Sequence, residues 1–199
     1  MYILMTKIIL ASASERRQKL LEQVGINCEV IPSNIDEDSI NGDNPGDLVE
    51  KLSAAKAENV AERLEGDFVI VAADTVVVKD SRVFGKPSDE KEAFEMLNSL
   101  QGNRHEVFTG VTLICVTGGE GLIDTFHVRT IVDMMPMTPK QINAYIQSGE
   151  PMDKAGGYGI QGRGAAYIRD VAGDFFNVVG LPISTVLSRL EHMGINLYS

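Results

Sequence analysis

Residues 69–73, Val-Ile-Val-Ala-Ala, run straight into a carboxylate and a hydroxyl, Asp74 and Thr75. So short an apolar run, rich in Val and Ile, reads as a buried strand with Asp74 at its carboxyl end, where open α/β sheets hold their ligands. An Asp there also fits a plain strand or turn boundary. As a chemical group it offers two roles. With Glu37 or Asp36 from the acidic stretch 34–44 it could hold a hard divalent ion against phosphate oxygens. It could instead take a proton from water as general base. Residue type does not separate the two.

The 199-residue chain carries a net charge of −10, so an anion that it binds must meet a local concentration of its few cations. Those cations fall at strand–loop junctions: Arg16 and Arg17 after the first apolar run, Lys86 in the breaker Gly85-Lys86-Pro87, and Lys154 with Arg163 in a glycine-rich loop. Arg presents a planar fork of donors to phosphate oxygens and Lys a compact point charge, so their convergence would make a polyphosphate pocket. In Ser12-Ala13-Ser14-Glu15-Arg16-Arg17 the small residues let backbone N–H groups approach an anion at a helix start. Two arginines in that first turn oppose the helix dipole unless an anion compensates. No Walker string is present. Lys56 lies on or beside the apolar stripe of a long helical pattern, and its plain reading is a stem that snorkels to solvent.

The same charge balance, with no Trp and 6% aromatic residues, argues against a nucleic-acid surface or an anionic-membrane surface. Residues 1–13 mimic a signal peptide with an Ala-x-Ala site, but a basic leading region is missing and Lys7 splits the apolar run. No stretch approaches the ~20 apolar residues of a membrane span. A soluble cytoplasmic protein is expected. Cys28 and Cys115 fall in different predicted strands and read as buried free thiols. His105 reads as a satisfied strand histidine, His127 and His192 have no supporting neighbours, and no His/Cys spacing suggests a zinc site.

The elements that must position these groups follow from punctuation and period. A strand over 7–11 leads to a helix over 14–24, capped by Ser14 and ended by Gly25. Pro45 opens an amphipathic helix to residue 64. Residues 76–84 suggest a hairpin. Ser88 caps a helix with Asp89, Glu90 and Glu92 in its first turn, and Gly102 ends it. Long strands follow over 104–116 and 122–134, then a capping box at Thr138-Pro139-Lys140-Gln141. The glycine loop 153–164, a strand over 165–171, a turn over 173–182 and a last helix over 183–193 complete the chain. Nothing splits it, so one domain over 1–199 is expected.

Taken together, Ser12-Ala13-Ser14-x-Arg16-Arg17, Ala55-Lys56, Ala73-Asp74-Thr75, Gly85-Lys86-Pro87, His105-x-Val107-x-Thr109-Gly110, Asp153-Lys154-Ala155-Gly156-x-Tyr158-x-Ile160-Gln161-Gly162 and Asn177-Val178-Val179-Gly180-Leu181-Pro182 resemble the Maf family of nucleoside triphosphate pyrophosphatases, in the family's order. The resemblance implies an α/β fold with an elongated mixed sheet flanked by helices and two lobes around a cleft, similar to the inosine triphosphatase (Ham1-like) fold. It implies hydrolysis between the α and β phosphates with help from Mg2+ or Mn2+. By the same resemblance Asp74 is the catalytic carboxylate and Glu37 its acidic metal or water partner. Arg16, Arg17, Lys56 and Lys86 are phosphate-binding cations, with Ser12, Ser14 and Lys154 at the substrate. Thr75 and Gln161 select the base. The string Tyr158-Gly159-Ile160-Gln161-Gly162 is similar to the dTTP and UTP branch. Glu15 stands where many relatives have Pro, beside the base-selecting site. The resemblance also implies a homodimer, and it carries an alternative: a non-catalytic, nucleotide-binding regulator of septum formation.

Overall fold

The computed structural model describes residues 7–195; residues 1–6, where the apolar N-terminal stretch begins, lie outside them. The strands are β1 (Lys7–Leu10), β2 (Glu29–Val30), β3 (Phe68–Lys79), β4 (Arg82–Phe84), β5 (Arg104–Thr117), β6 (Glu120–Met134) and β7 (Ile168–Ala172). The helices are α1 (Glu15–Gln23), α2 (Pro45–Ala61), α3 (Glu90–Leu100), α4 (Pro139–Ile146), α5 (Phe175–Val179) and α6 (Ile183–His192). The described strands form one mixed sheet in the order β2-β1-β3-β5-β6-β7, with β4 added to β3. β1 runs parallel to β2 and to β3, with Leu10 beside Val71, whereas β4 pairs antiparallel with β3 and β7 antiparallel with β6. No described helix is long and apolar enough to cross a membrane.

The chain gathers into two compact units. The first takes the described residues up to Asp74, then Thr109–His127, then those from Gly180 on; the second takes Thr75–Phe108 and Val128–Val179. In the first, Ile9, Ala57, Val60, Phe68, Ile70, Ala72 and Ile114 close a core between α2 and the strands. In the second, Phe84, Leu97, Leu100, Val132, Met134, Ile142 and Tyr158 close a core among α3, α4 and the strands. Full burial of each large apolar side chain contributes about 1.5–3 kcal/mol.

Helix starts follow cap chemistry. Asn44 accepts from the Asp47 amide with Pro45 next in line, and Thr138 and Gln141 complete their capping box. The cap of α3 is Asp89, one residue later than the spacing predicts: its carboxylate takes the Glu92 amide, and Ser88 instead donates its amide and hydroxyl to the Glu92 carboxylate. Ser14 stands at the N-cap of α1 but its hydroxyl makes no cap bond. Gly25, at φ +81°, ends the turn as expected.

Asp74 is not the last residue of its strand. β3 runs on through it to Lys79, because Val76, Val77 and Val78 resume the apolar run and the turn that ends it lies at Asp80 and Ser81, both at positive φ. β1, however, stops at Leu10, and its last link to β3 is the Ala11 amide donating to the Val71 carbonyl at 2.9 Å. Asp74 therefore stands just beyond the carboxyl end of the parallel β1/β3 pair, where the chain turns into α1. Three smaller expectations also shift. Cys28 precedes β2 and is half-buried, while Cys115 is buried in β5; both are free thiols. The strand expected from 165 begins at Ile168, because Gly162–Tyr167 winds as a 3-10 turn. The turn 173–182 contains α5.

Candidate active site

The buried face of α2 is Gly46, Val49, Leu52, Ser53, Lys56, Ala57 and Val60, a helical period with a lysine in its middle. Lys56 does not snorkel: its side chain is 8% exposed. The ammonium meets Asp74 Oδ1 at 2.5 Å and Glu37 Oε1 at 2.9 Å, the carboxylates being 13% and 51% exposed. Glu37 is offered by the short turn Glu37–Ser39, which Ser39 closes by donating its hydroxyl to the Asp36 carbonyl at 2.7 Å. A buried ammonium without an anion would be strongly destabilising, so the pairing explains why a lysine is tolerated on this face. Asp36, the other candidate partner, is the N-cap of that turn.

Arg17 reaches the same neighbourhood from α1. Its Nη1 donates to Ser12 Oγ at 2.9 Å and its Nε to the Gly180 carbonyl at 2.8 Å. Ser12 is buried and also accepts from the Ser14 amide at 3.3 Å. Burial lowers the Arg17 pKa, Asp74 and Glu37 oppose that, and Arg16 adds to it; the guanidinium stays charged. The first unit thus brings Ser12, Ser14, Arg17, Glu37, Lys56 and Asp74 into one set of contacts and fields. Arg16 is half-buried beside them. Glu15 is exposed and pairs with Lys19 one turn on, at 3.5 Å.

The remaining expected residues belong to the second unit. Thr75 follows Asp74 in β3 and is half-buried; Lys86 is exposed between β4 and α3. Gln161 is exposed at the start of the 3-10 turn Gly162–Tyr167. Lys154 Nζ donates to the Glu150 carbonyl at 2.7 Å and meets Asp153 Oδ1 at 2.6 Å, so here it ties the glycine loop.

Glu150 organises that loop and was not singled out by its sequence. Its carboxylate accepts from the Tyr145 hydroxyl at 2.8 Å, the Arg163 amide at 2.9 Å and the Gly164 amide at 3.0 Å. Burial pushes the carboxyl up, but those donors outweigh it and the net pKa is lowered. Gly164 lies so close that an added Cβ would stand 2.2 Å from the Gly159 carbonyl oxygen. The available signal was a lone carboxylate between Gly149 and Pro151 just ahead of five glycines. Nearby, His105 Nε2 and the Tyr158 hydroxyl share a buried hydrogen bond of 2.6 Å.

Among the described residues no group of three or more His, Cys, Asp or Glu stands ready for a metal. Asp74 and Glu37, converging on one ammonium, are instead a two-carboxylate set. That set suits a hard divalent ion whose other positions go to water and phosphate oxygens.

The fold is thus a mixed sheet flanked by helices, and the Lys56–Asp74–Glu37 cluster, its lysine buried and Glu37 half-exposed, lies past the end of a parallel strand pair. Residues 7–193 match the model of the Maf-like protein family, and the chain belongs to that family. It is 46% identical over 195 residues to the dTTP/UTP pyrophosphatase of Symbiobacterium thermophilum, covering 98% of each chain. It is 44% identical to the dTTP/UTP pyrophosphatase of Alkaliphilus metalliredigens, covering 97% of this chain and 100% of that one. Among solved structures it shares the fold of the Staphylococcus aureus Ham1 protein, with a TM-score of 0.50 at 14% identity over 94% of this chain and 100% of that one.

Proposed function

We infer that the chain is a nucleoside triphosphate pyrophosphatase that hydrolyses dTTP and UTP to the monophosphate and pyrophosphate. The observation that carries the reading is the Lys56 ammonium held between Asp74 and Glu37, in a chain whose relatives at 44–46% identity carry that activity in their names. An ammonium has three N–H donors; two go to the carboxylates, and the third serves a phosphate oxygen. Asp74 engages Lys56 through Oδ1, and in this reading Oδ2 accepts the proton of the attacking water as its oxygen bonds to phosphorus and the α–β bridge breaks. Arg16 and Lys86 add positive charge for the polyphosphate, and Thr75 and Gln161 select the pyrimidine. A divalent ion such as Mg2+ or Mn2+, held by Asp74 and Glu37, would supply further neutralisation of phosphate charge.

Pyrophosphate release measured across the common nucleoside triphosphates with Mg2+ or Mn2+ tests the reading. Turnover greatest with dTTP and UTP is expected. No turnover of any triphosphate would overturn it and favour a regulator that binds nucleotide without cleaving it.

A further inference from the structure

One turn before Lys56, on the same buried face of α2, Ser53 is 0% exposed and carries a hydroxyl into the core. Its Oγ meets the Glu50 carbonyl at 2.9 Å and Thr112 Oγ1 at 2.9 Å, and Thr112 Oγ1 meets Thr125 Oγ1 at 3.0 Å. Proton counting gives the chain a direction. A hydroxyl has one proton to donate, and a carbonyl can only accept. Ser53 must therefore donate to Glu50, Thr112 to Ser53, and Thr125 to Thr112. The chain ties α2 to β5 and β6; Ser53 and Thr112 are buried deeply enough that the bond between them matters, while Thr125 closes the chain from the exposed side of β6.

The same patch of α2 is seated by backbone contact. An added Cβ at Gly110 in β5 would lie 2.1 Å from the Val49 carbonyl oxygen, so strand and helix touch with no side chain between. On β6, His127 Nδ1 meets Glu50 Oε1 at 2.7 Å. Val49, Glu50 and Ser53 are thus pinned in succession, and Lys56 is the next residue of that face.

We propose that the Thr125–Thr112–Ser53 hydroxyl chain sets the register of α2 on the sheet and thereby holds the Lys56 ammonium between Asp74 and Glu37. Ser53 and Thr112 are positioning residues in this account, which rests on the reading of Lys56 given above. Displacing a reacting or charge-neutralising group by about 1 Å can cost up to about 100-fold in rate. Partners one shell out from a site commonly matter by about 10- to 100-fold.

The test is a double-mutant cycle on pyrophosphate release from dTTP, with urea midpoints recorded for every variant. Ser53→Ala and Thr112→Val are made in the wild-type and in the Lys56→Met background, and Thr112→Ser serves as the variant that keeps the hydroxyl. In the wild-type background Ser53→Ala and Thr112→Val should each lower kcat about tenfold, by more than they change KM, and Thr112→Ser should restore it. On Lys56→Met neither should lower the residual kcat further, although both still lower the urea midpoint. A fall by the same factor in both backgrounds, or a lowered midpoint with kcat per folded molecule intact, overturns the proposal. A Lys56→Met enzyme with wild-type kcat overturns the role of Lys56 itself, and is distinguishable because it needs no change at Ser53.

Discussion

Arg17 Nε donates to the Gly180 carbonyl at 2.8 Å, joining positions 163 residues apart. In the function proposed above the two consecutive arginines divide the work: Arg17 fastens the start of α1 to the Gly180-Leu181-Pro182 turn and to Ser12, and Arg16 supplies charge for the polyphosphate.

That division predicts different phenotypes. Arg17→Ala should lose about 2 kcal/mol of stability, the scale for hydrogen bonds from a charged donor at a half-buried site, and activity with it. Arg16→Ala should unfold at nearly the wild-type urea midpoint while KM for the triphosphate rises. Coincident unfolding curves for the two variants would show that the Arg17 tie contributes nothing to stability.

Asp74→Asn should abolish most turnover and leave the fold in place. The amide is nearly isosteric in the middle of β3, but it neither accepts a proton from water nor offers a charged oxygen to a metal. Loss of a general base alone is worth about 10²- to 10⁴-fold. Triphosphate affinity should hold or rise, since one negative charge facing the phosphates is gone. Turnover within about tenfold of wild type would take Asp74 out of the mechanism; a collapsed melting temperature would assign it a structural role instead.

Gln161→Ala should flatten the preference among bases rather than lower all rates equally. A carboxamide can both donate and accept, matching the alternating carbonyl and imide edge of thymine and uracil, and a site built on such pairs rejects bases that leave its polar groups unmatched. The measurement is the ratio of kcat/KM for dTTP and UTP to that for dCTP and the purine triphosphates. An unchanged ratio at reduced rate would show that another residue selects the base.

Stability should fall with acid through His105. Burial lowers its pKa from 6.5 to about 4, so between those values the unfolded chain binds a proton that the folded chain does not. Stability contributed by the neutral ring is complete above pH 6.5 and is lost as pH falls toward 4, by about 3 kcal/mol in all. His105→Gln, which keeps a polar partner for Tyr158, should flatten this dependence in urea midpoints taken at pH 7, 5.5 and 4.5. An equally steep fall in the variant would place the source elsewhere.

The capping box at Thr138 and Gln141, the Asp80-Ser81 turn, the long β5 and β6 pair and the apolar faces were legible because each is set by residues a few positions apart, whereas the cap of α3 fell one residue later than expected and Ser14 makes no side-chain cap bond. The cluster of Asp74, Glu37 and Lys56 could be named but not assembled, since its members lie on three elements. Lys56 looked like a surface stem because a helical period reports which face is buried, not whether a carboxylate waits beneath it. Where β3 ends was misread for a similar reason: Asp74 looks like a stop, yet what limits a strand is its neighbours, and β4 gives Val77 and Val78 partners that a local reading does not see. Glu150 escaped because a lone acidic residue at a turn has no pattern, and its three donors come from residues 145, 163 and 164.

β3, β5 and β6 each begin in one compact unit and finish in the other. A single proteolytic cut can therefore release neither unit whole, and a gene truncated at any of those three crossings would be severed within a strand rather than at a linker. The pieces cannot be traded between proteins as cassettes. Residues 75–108, inserted between the segment that carries Lys56 and Asp74 and the segment that carries Thr112, must be inherited with both. The carboxylate, its lysine and the elements of the second unit therefore stand or fall as one heritable block.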